Sequence, residues 1–215
     1  MPQDALKPVA DHRVLMSGIS WETFQRLVDE LERAGCHRRL CYDNGWLEIS
    51  TRTPAGEARK CFVRSLLQQT LLANATPFAP FGETTWQRPD LRMGIEADES
   101  YYIRHEAQIG PRCDLKLGVD PPPDLAIEIE TAPPLLDRSA VYAAIGVPEI
   151  WVVPVVGPVR LSVLRGGAYE AVDRSDAVPQ FTVDVLNQWL KRYDDTGFIA
   201  VMASLREQLD SERVV

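Results

Sequence analysis

Apolar and polar positions along the chain alternate with two periods, one of about two residues and one of about 3.6, and so mark out short strands and a few helices. The sharpest segment is PPPDLAIEIETAPPLLDRSAVYAAIGVPEIWVVP, residues 121–154. Asp124 to Glu130 is flanked by prolines and alternates like a strand. Leu125, Ile127 and Ile129 fall on one face, and Asp124, Ala126, Glu128 and Glu130 on the other. Leu135 to Ile145 reads as a short helix closed by Gly146, and Glu149 to Val153 as a second apolar strand. Such a strand–helix–strand unit predicts a parallel pair with a right-handed crossover.

The same reading covers the rest of the chain. Residues 1–19 form a leader with little structure apart from a short strand at Arg13 to Met16. Ser20 is placed to cap a helix that carries Trp21, Phe24, Leu27, Val28 and Leu31 at helical spacing and stops at Gly35. Asn44-Gly45 predicts a hairpin, because both central residues of a type I′ turn need positive φ. A second helix follows Pro54 over residues 55–74. Thr84 to Gln87 and Glu99 to Ile103 read as strands separated by a loop, and residues 112–120 as a short strand or loop. Gly166-Gly167 turns a second hairpin. Two amphipathic helices, about 182–193 and 196–210, end the chain. This gives a leader at 1–19, one domain at 20–193 and a C-terminal helix at 194–215.

A chain of 215 residues can bury a sizeable core in one domain. Its 45% hydrophobic and 25% charged residues are ordinary for a soluble globular protein. The net charge of −8 argues against passive DNA binding, though not against a nuclease with a local basic groove. Cys36, Cys41, Cys61 and Cys113 form no C-x-x-C pair, and Cys36, His37 and Cys41 make too small a cluster for zinc. Reduced thiols in a cytoplasmic protein are the expectation. MPQDALKPVADHR lacks the apolar run of a signal peptide, and no stretch approaches the ~18 apolar residues of a membrane span. There is no P-loop, dinucleotide fingerprint or Ser-His-Asp pattern, and His12, His37 and His105 are scattered.

Three carboxylates in line on one strand face repel one another. They fit a divalent metal site, since Mg²⁺ takes carboxylate oxygens. They also fit a half-buried strand with a solvated acidic face. Glu96, Asp98 and Glu99 gather at the entrance to another strand. Glu57, in the first turn of its helix, suits the helix dipole as well as a site.

The runs GETTWQRPDLRMGIEADESYYI, VDPPPDLAIEIE and LDRSAVYAAIGVPEIW resemble the Uma-type restriction endonuclease family, abundant in cyanobacteria and generally placed in the PD-(D/E)XK nuclease fold. The resemblance runs from about Ser20 to Leu190. It implies an α/β protein of the restriction-endonuclease-like type, a mixed central β-sheet flanked by helices and followed by C-terminal helices. It implies a Mg²⁺-dependent (or Mn²⁺-dependent) DNA endonuclease that hydrolyses phosphodiesters. In the family's pattern Asp98 stands at the motif aspartate, with Ala97 in place of the usual proline. Glu128 stands at the acid of the (D/E)XK element, and Glu57 at the acid of the early helix. Asp98, Glu128 and the Ile129 carbonyl would hold the metal. Glu130 occupies the place of the strand lysine, and Arg138 that of a helical lysine four residues before Tyr142. Arginine does not give up its proton, so Arg138 is suited to phosphate charge rather than to activating water. A salt bridge from Arg138 to Glu128, Glu130 or Asp137 is the competing reading. Glu130 and Lys116 are additional site candidates, and Lys60 or Lys116 could replace the missing lysine in space.

Two other functions stay open: a catalytically degenerate binding or assembly module on the same fold, and an RNA- or nucleotide-directed phosphodiesterase. Enzymes of this fold that cut both strands often pair, and Val183, Leu186, Trp189 and Leu190 offer an apolar stripe, so a homodimer is expected.

Overall fold

The computed structural model describes residues 12–36 and 38–212. Most of the leader (residues 1–11) and His37 lie outside them. The chain is a mixed α/β fold. Its elements in order are β1 (Arg13–Met16), α1 (Trp21–Arg33), β2 (Arg39–Asp43), β3 (Trp46–Ser50), α2 (Pro54–Ala73), β4 (Ala79–Pro80), β5 (Thr85–Arg88), β6 (Met93–Glu96), β7 (Glu99–Tyr102), α3 (Glu106–Ile109), β8 (Leu125–Glu130), α4 (Arg138–Ile145), β9 (Glu149–Pro154), β10 (Arg160–Arg165), β11 (Ala168–Val172), α5 (Val183–Thr196) and α6 (Phe198–Glu212).

Local chemistry sets most boundaries. The Ser20, Thr53 and Thr182 hydroxyls accept from backbone N–H groups in the first turns of α1, α2 and α5. Such a cap contributes about 1 kcal/mol. Asn44 and Gly45 take φ of 42° and 98°, the turn that joins β2 to β3. Helix α4 begins three residues later than its apolar spacing suggests. Asp137 caps it at the Ala140 N–H, while the Leu135 and Leu136 N–H groups donate to Glu48 Oε2 at 2.6 and 2.8 Å. Asp137 takes a non-helical ψ of 88°, so the helix starts after it, and Glu48 on β3 satisfies the two loop amides ahead of it.

The strands divide into two sheets. The first runs β1-β3-β2-β6-β5 and is antiparallel throughout. The second runs β11-β10-β9-β8-β7-β4 and is mixed, with β8 and β9 parallel across the α4 crossover. The single mixed sheet of the sequence reading corresponds to this second one. Strand β6 lies where the residue pattern predicts a loop. It is short and carries Gly94, but pairs on both sides, with β2 and β5. A Cβ at Gly94 would lie 2.7 Å from the Phe24 ring, so only glycine lets α1 close on this sheet. The chain passes from β6 to β7, one sheet to the other, through Ala97 and Asp98.

Three apolar clusters hold these layers. Leu125, Ile127 and Ile129 of β8 pack with Phe62, Leu66 and Leu67 of α2 and with the C-terminal helices. Ala126, on the other face, packs with Val141, Tyr142 and Ile145 of α4. Trp21, Phe24 and Val28 of α1 cover the first sheet with Leu40, Tyr42 and Leu47. Leu186, Trp189 and Leu190 of α5 are buried in the first cluster. The stripe expected to form a dimer face is therefore core, each large side chain contributing about 1.5–3 kcal/mol by burial.

Candidate metal and phosphate site

Period two along β8 sends Glu128 to the α4 side of the second sheet, opposite Ile127 and Ile129. The acidic face is not solvated: Asp124 and Glu128 are 2% and 6% exposed. Asp98 sits just ahead of β7, beside β8, and extends the ladder. Its N–H donates to the Ile127 carbonyl at 3.1 Å, and its Oδ2 accepts from the Ile129 N–H at 2.6 Å. Asp98 and Glu128 are thus neighbours, as the family pattern requires.

What joins them is Arg39, the first residue of β2, reaching across from the other sheet. Its Nη2 binds both Asp98 Oδ2, at 2.9 Å, and Glu128 Oε2, while Nη1 donates to the Ile129 carbonyl at 3.2 Å. The two carboxylates and one carbonyl expected to hold a metal therefore converge on one guanidinium. The other oxygen of Glu128, Oε1, accepts from Tyr142 Oη and from Arg138 Nη2, the latter at 2.8 Å. Arg138 Nη2 also donates to the Glu96 carbonyl at 2.6 Å. Of the three partners considered for Arg138, Glu128 is the one it takes.

The electrostatics follow. Burial opposes charge on Glu128, but Arg138 and Arg39 outweigh it and hold the carboxyl below its ordinary range. Burial raises Asp98, and the nearby Glu128 charge adds to this against the pull of Arg39. Burial likewise lifts the Tyr142 phenol well above its usual value, which keeps it a hydrogen-bond donor.

Glu57 does not join Asp98 and Glu128 directly. It lines a small crevice with Arg39, Asp98 and Ile129. Its carboxylate pairs with Lys60 at 2.8 Å and Arg52 at 3.4 Å. Lys60, one turn along α2 and 3% exposed, also binds Glu83. Arg52 binds Glu83 too, and Glu96 Oε1 at 2.8 Å. Burial pushes the Glu96 carboxyl up to about 7, because Arg52 only partly offsets it and Glu83 and Asp98 repel it. A second charged group, of three carboxylates and two cations, therefore flanks the first.

A cleft of about 440 Å³ opens on the α4 side of Glu128, and Arg13, Arg39, Arg138 and Arg160 line it with Tyr142. Glu128, Glu130, Asp137 and Asp173 line it as well, so its arginines are balanced by carboxylates and it is not the local basic groove that a nuclease would carry. Glu130 lies at the cleft wall, where Arg160 holds it at 3.0 Å, away from Asp98. Lys116 is exposed on the loop before β8, its N–H donating to Asp120, and Lys60 is the lysine that lies beside the site. Asp124, the third acid of the strand face, instead accepts from the Ile103 and His105 N–H groups.

Sequence reasoning missed Arg39, Glu48, Arg52 and Glu83, and it placed Glu96 beside Asp98 without giving it a role. Glu48 buttresses the loop entering α4, and Arg39 crosses between sheets. For Arg39 the only available signal was its place on the apolar hairpin arm RRLCYD. Among the described residues no group of three His, Cys, Asp or Glu side chains is arranged to hold a metal ion. The donors fit a hard cation in kind, as two carboxylates and a carbonyl that waters would complete. The guanidinium now fills their common focus. Cys41 is buried beside them, and burial pushes its thiol up to about 12. Among the described residues no helix is long and apolar enough to cross a membrane.

A family model described as "Uma2: Putative restriction endonuclease" matches residues 21–191. Among solved structures, a chain described as a "putative nuclease belonging to DUF820" from Anabaena variabilis ATCC 29413 is similar. It is 19% identical, the match covers 70% of this chain and 90% of that one, and the TM-score is 0.47. No curated protein matches the sequence.

Proposed function

Because this chain belongs to the Uma2 family of putative restriction endonucleases, we propose that it is a Mg²⁺-dependent or Mn²⁺-dependent DNA endonuclease that hydrolyses phosphodiester bonds. The observation that carries this reading is the convergence of Asp98 Oδ2, Glu128 Oε2 and the Ile129 carbonyl on one cationic group beside a cleft lined by arginines and carboxylates. Those three oxygens would hold the metal. Bound there, a divalent cation lowers the pKa of a water and neutralises phosphoryl charge. Arg138 and Arg160 in the cleft bind and orient the phosphate; neither takes a proton from water. Glu57, at the crevice beside Asp98, would orient a water there, and Lys60 holds Glu57 in place. Tyr142 donates to Glu128 and keeps its second oxygen from rotating.

We place the protein in the cytoplasm, since its four cysteines are free. A homodimer suited to two-strand cleavage would use a face other than the α5 stripe, which is core. A second reading is favoured by Arg39 and Arg138 together: a binding or assembly module whose metal site has become an ion-pair network.

Plasmid nicking with Mg²⁺ or Mn²⁺, run beside thermal melts, separates the two. Weak metal-dependent nicking is expected from the unmodified protein, and none from Asp98→Ala or Glu128→Ala. Arg138→Lys should preserve or raise it. An unmodified protein with neither nicking nor a metal-induced melting shift would end the nuclease reading and leave the module.

A further inference from the structure

We propose that Arg39 is the resident cation of the Asp98–Glu128 site and competes with a divalent metal for it. This rests on the assignment of those oxygens as metal donors. Each of the three is bonded to the same guanidinium, and none of the three bonds is made within the sheet that carries the donors. The side chain comes from β2, so the seat is filled only because the two sheets meet here. Charge explains why it is filled. Two carboxylates buried side by side repel, and a guanidinium spans them as a metal would, without the cost of dehydrating Mg²⁺.

The fit is incomplete in a way that favours exchange. Arg39 Nε is buried and has no hydrogen-bond partner. Arg39 lines both the crevice at Asp98 and Glu57 and the large cleft at Arg138 and Arg160. The cleft is therefore the space into which the guanidinium turns when a metal takes its place. There it would join the arginines that face phosphate, so metal loading and phosphate binding would be coupled through one side chain.

The test needs no DNA. Mn²⁺ binding is followed by loss of the free-ion paramagnetic resonance signal for the unmodified chain, Arg39→Met and Arg39→Lys. Arg39→Met should bind Mn²⁺ at least tenfold more tightly, and Arg39→Lys should fall between, because an ammonium cannot span all three oxygens. Adding Asp98→Asn to either variant should abolish the gain. If Arg39→Met does not fold without metal, Mn²⁺-dependent recovery of its folded signal and the Arg39→Lys affinity carry the test. Measurable affinities within threefold of one another in all three proteins would overturn the competition and leave the nuclease reading standing. No Mn²⁺ binding in any of them would overturn both.

Discussion

Glu128→Ala should be among the most destabilising single changes in this protein, and its size can be worked from the contacts. The carboxylate accepts from Arg39, Arg138 and Tyr142 in a site only 6% exposed. Removing one partner of a buried pair costs about 3–5 kcal/mol, because the remaining charge is left without compensation. Two guanidinium groups are affected here, but neither is stripped. Arg39 keeps Asp98 and the Ile129 carbonyl, and Arg138 keeps the Glu96 carbonyl. A loss of about 4 kcal/mol follows, which for a chain of this length lowers Tm by roughly 8–16 °C. Urea and thermal unfolding at pH 7.5 in EDTA give the number. Glu130→Ala is the control. Its partner Arg160 has a side chain 52% exposed, so about 0.5 kcal/mol or less is expected. The difference from the parent should also depend on pH. Glu128 is held below its ordinary 4.5 in the folded chain, so its contribution is present above that pH and is lost as pH falls through the lower folded value. A cost under about 1 kcal/mol at pH 7.5 would refute the reasoning, since it would mean that water reaches both arginines.

Glu96 has the opposite sign: its folded pKa of about 7 lies above the ordinary 4.5, so its contribution to stability is present below pH 4.5 and fades as pH rises toward and past 7. In metal-free protein Glu96→Gln should flatten the fall in stability between about pH 5 and 8, and unchanged curvature in unfolding series across that range would contradict this. Thiol titration should find three fast cysteines, the exposed Cys36, Cys61 and Cys113, and a fourth, Cys41, that reacts only on unfolding. Four equal rates in the native protein would place Cys41 at the surface.

Much of this molecule is legible in its sequence. Period two in DLAIEIE settles that Glu128 lies opposite Ile127 and Ile129, and the β8 strand obeys it. Ser20, Asn44-Gly45, Gly146 and Gly166-Gly167 end or turn their elements as their backbone preferences require. These are local matters, decided by dihedral preference and by hydrogen bonds a few residues apart. The family pattern named Asp98 and Glu128 as partners, and β7–β8 pairing makes them neighbours. What the sequence could not say is which cation faces them. Arg39 lies 89 residues from Glu128 along the chain, on a different sheet. Its approach depends on where the chain crosses between sheets at Ala97–Asp98, and no periodicity encodes that crossing. The same holds for Glu48, which holds the loop entering α4, and for the α5 stripe, whose apolar spacing is the same whether it meets a partner or its own core. Alternation chooses the face of a strand from its own residues, but the counter-ion opposite a buried carboxylate is chosen by whichever distant side chain the packed sheets bring within reach.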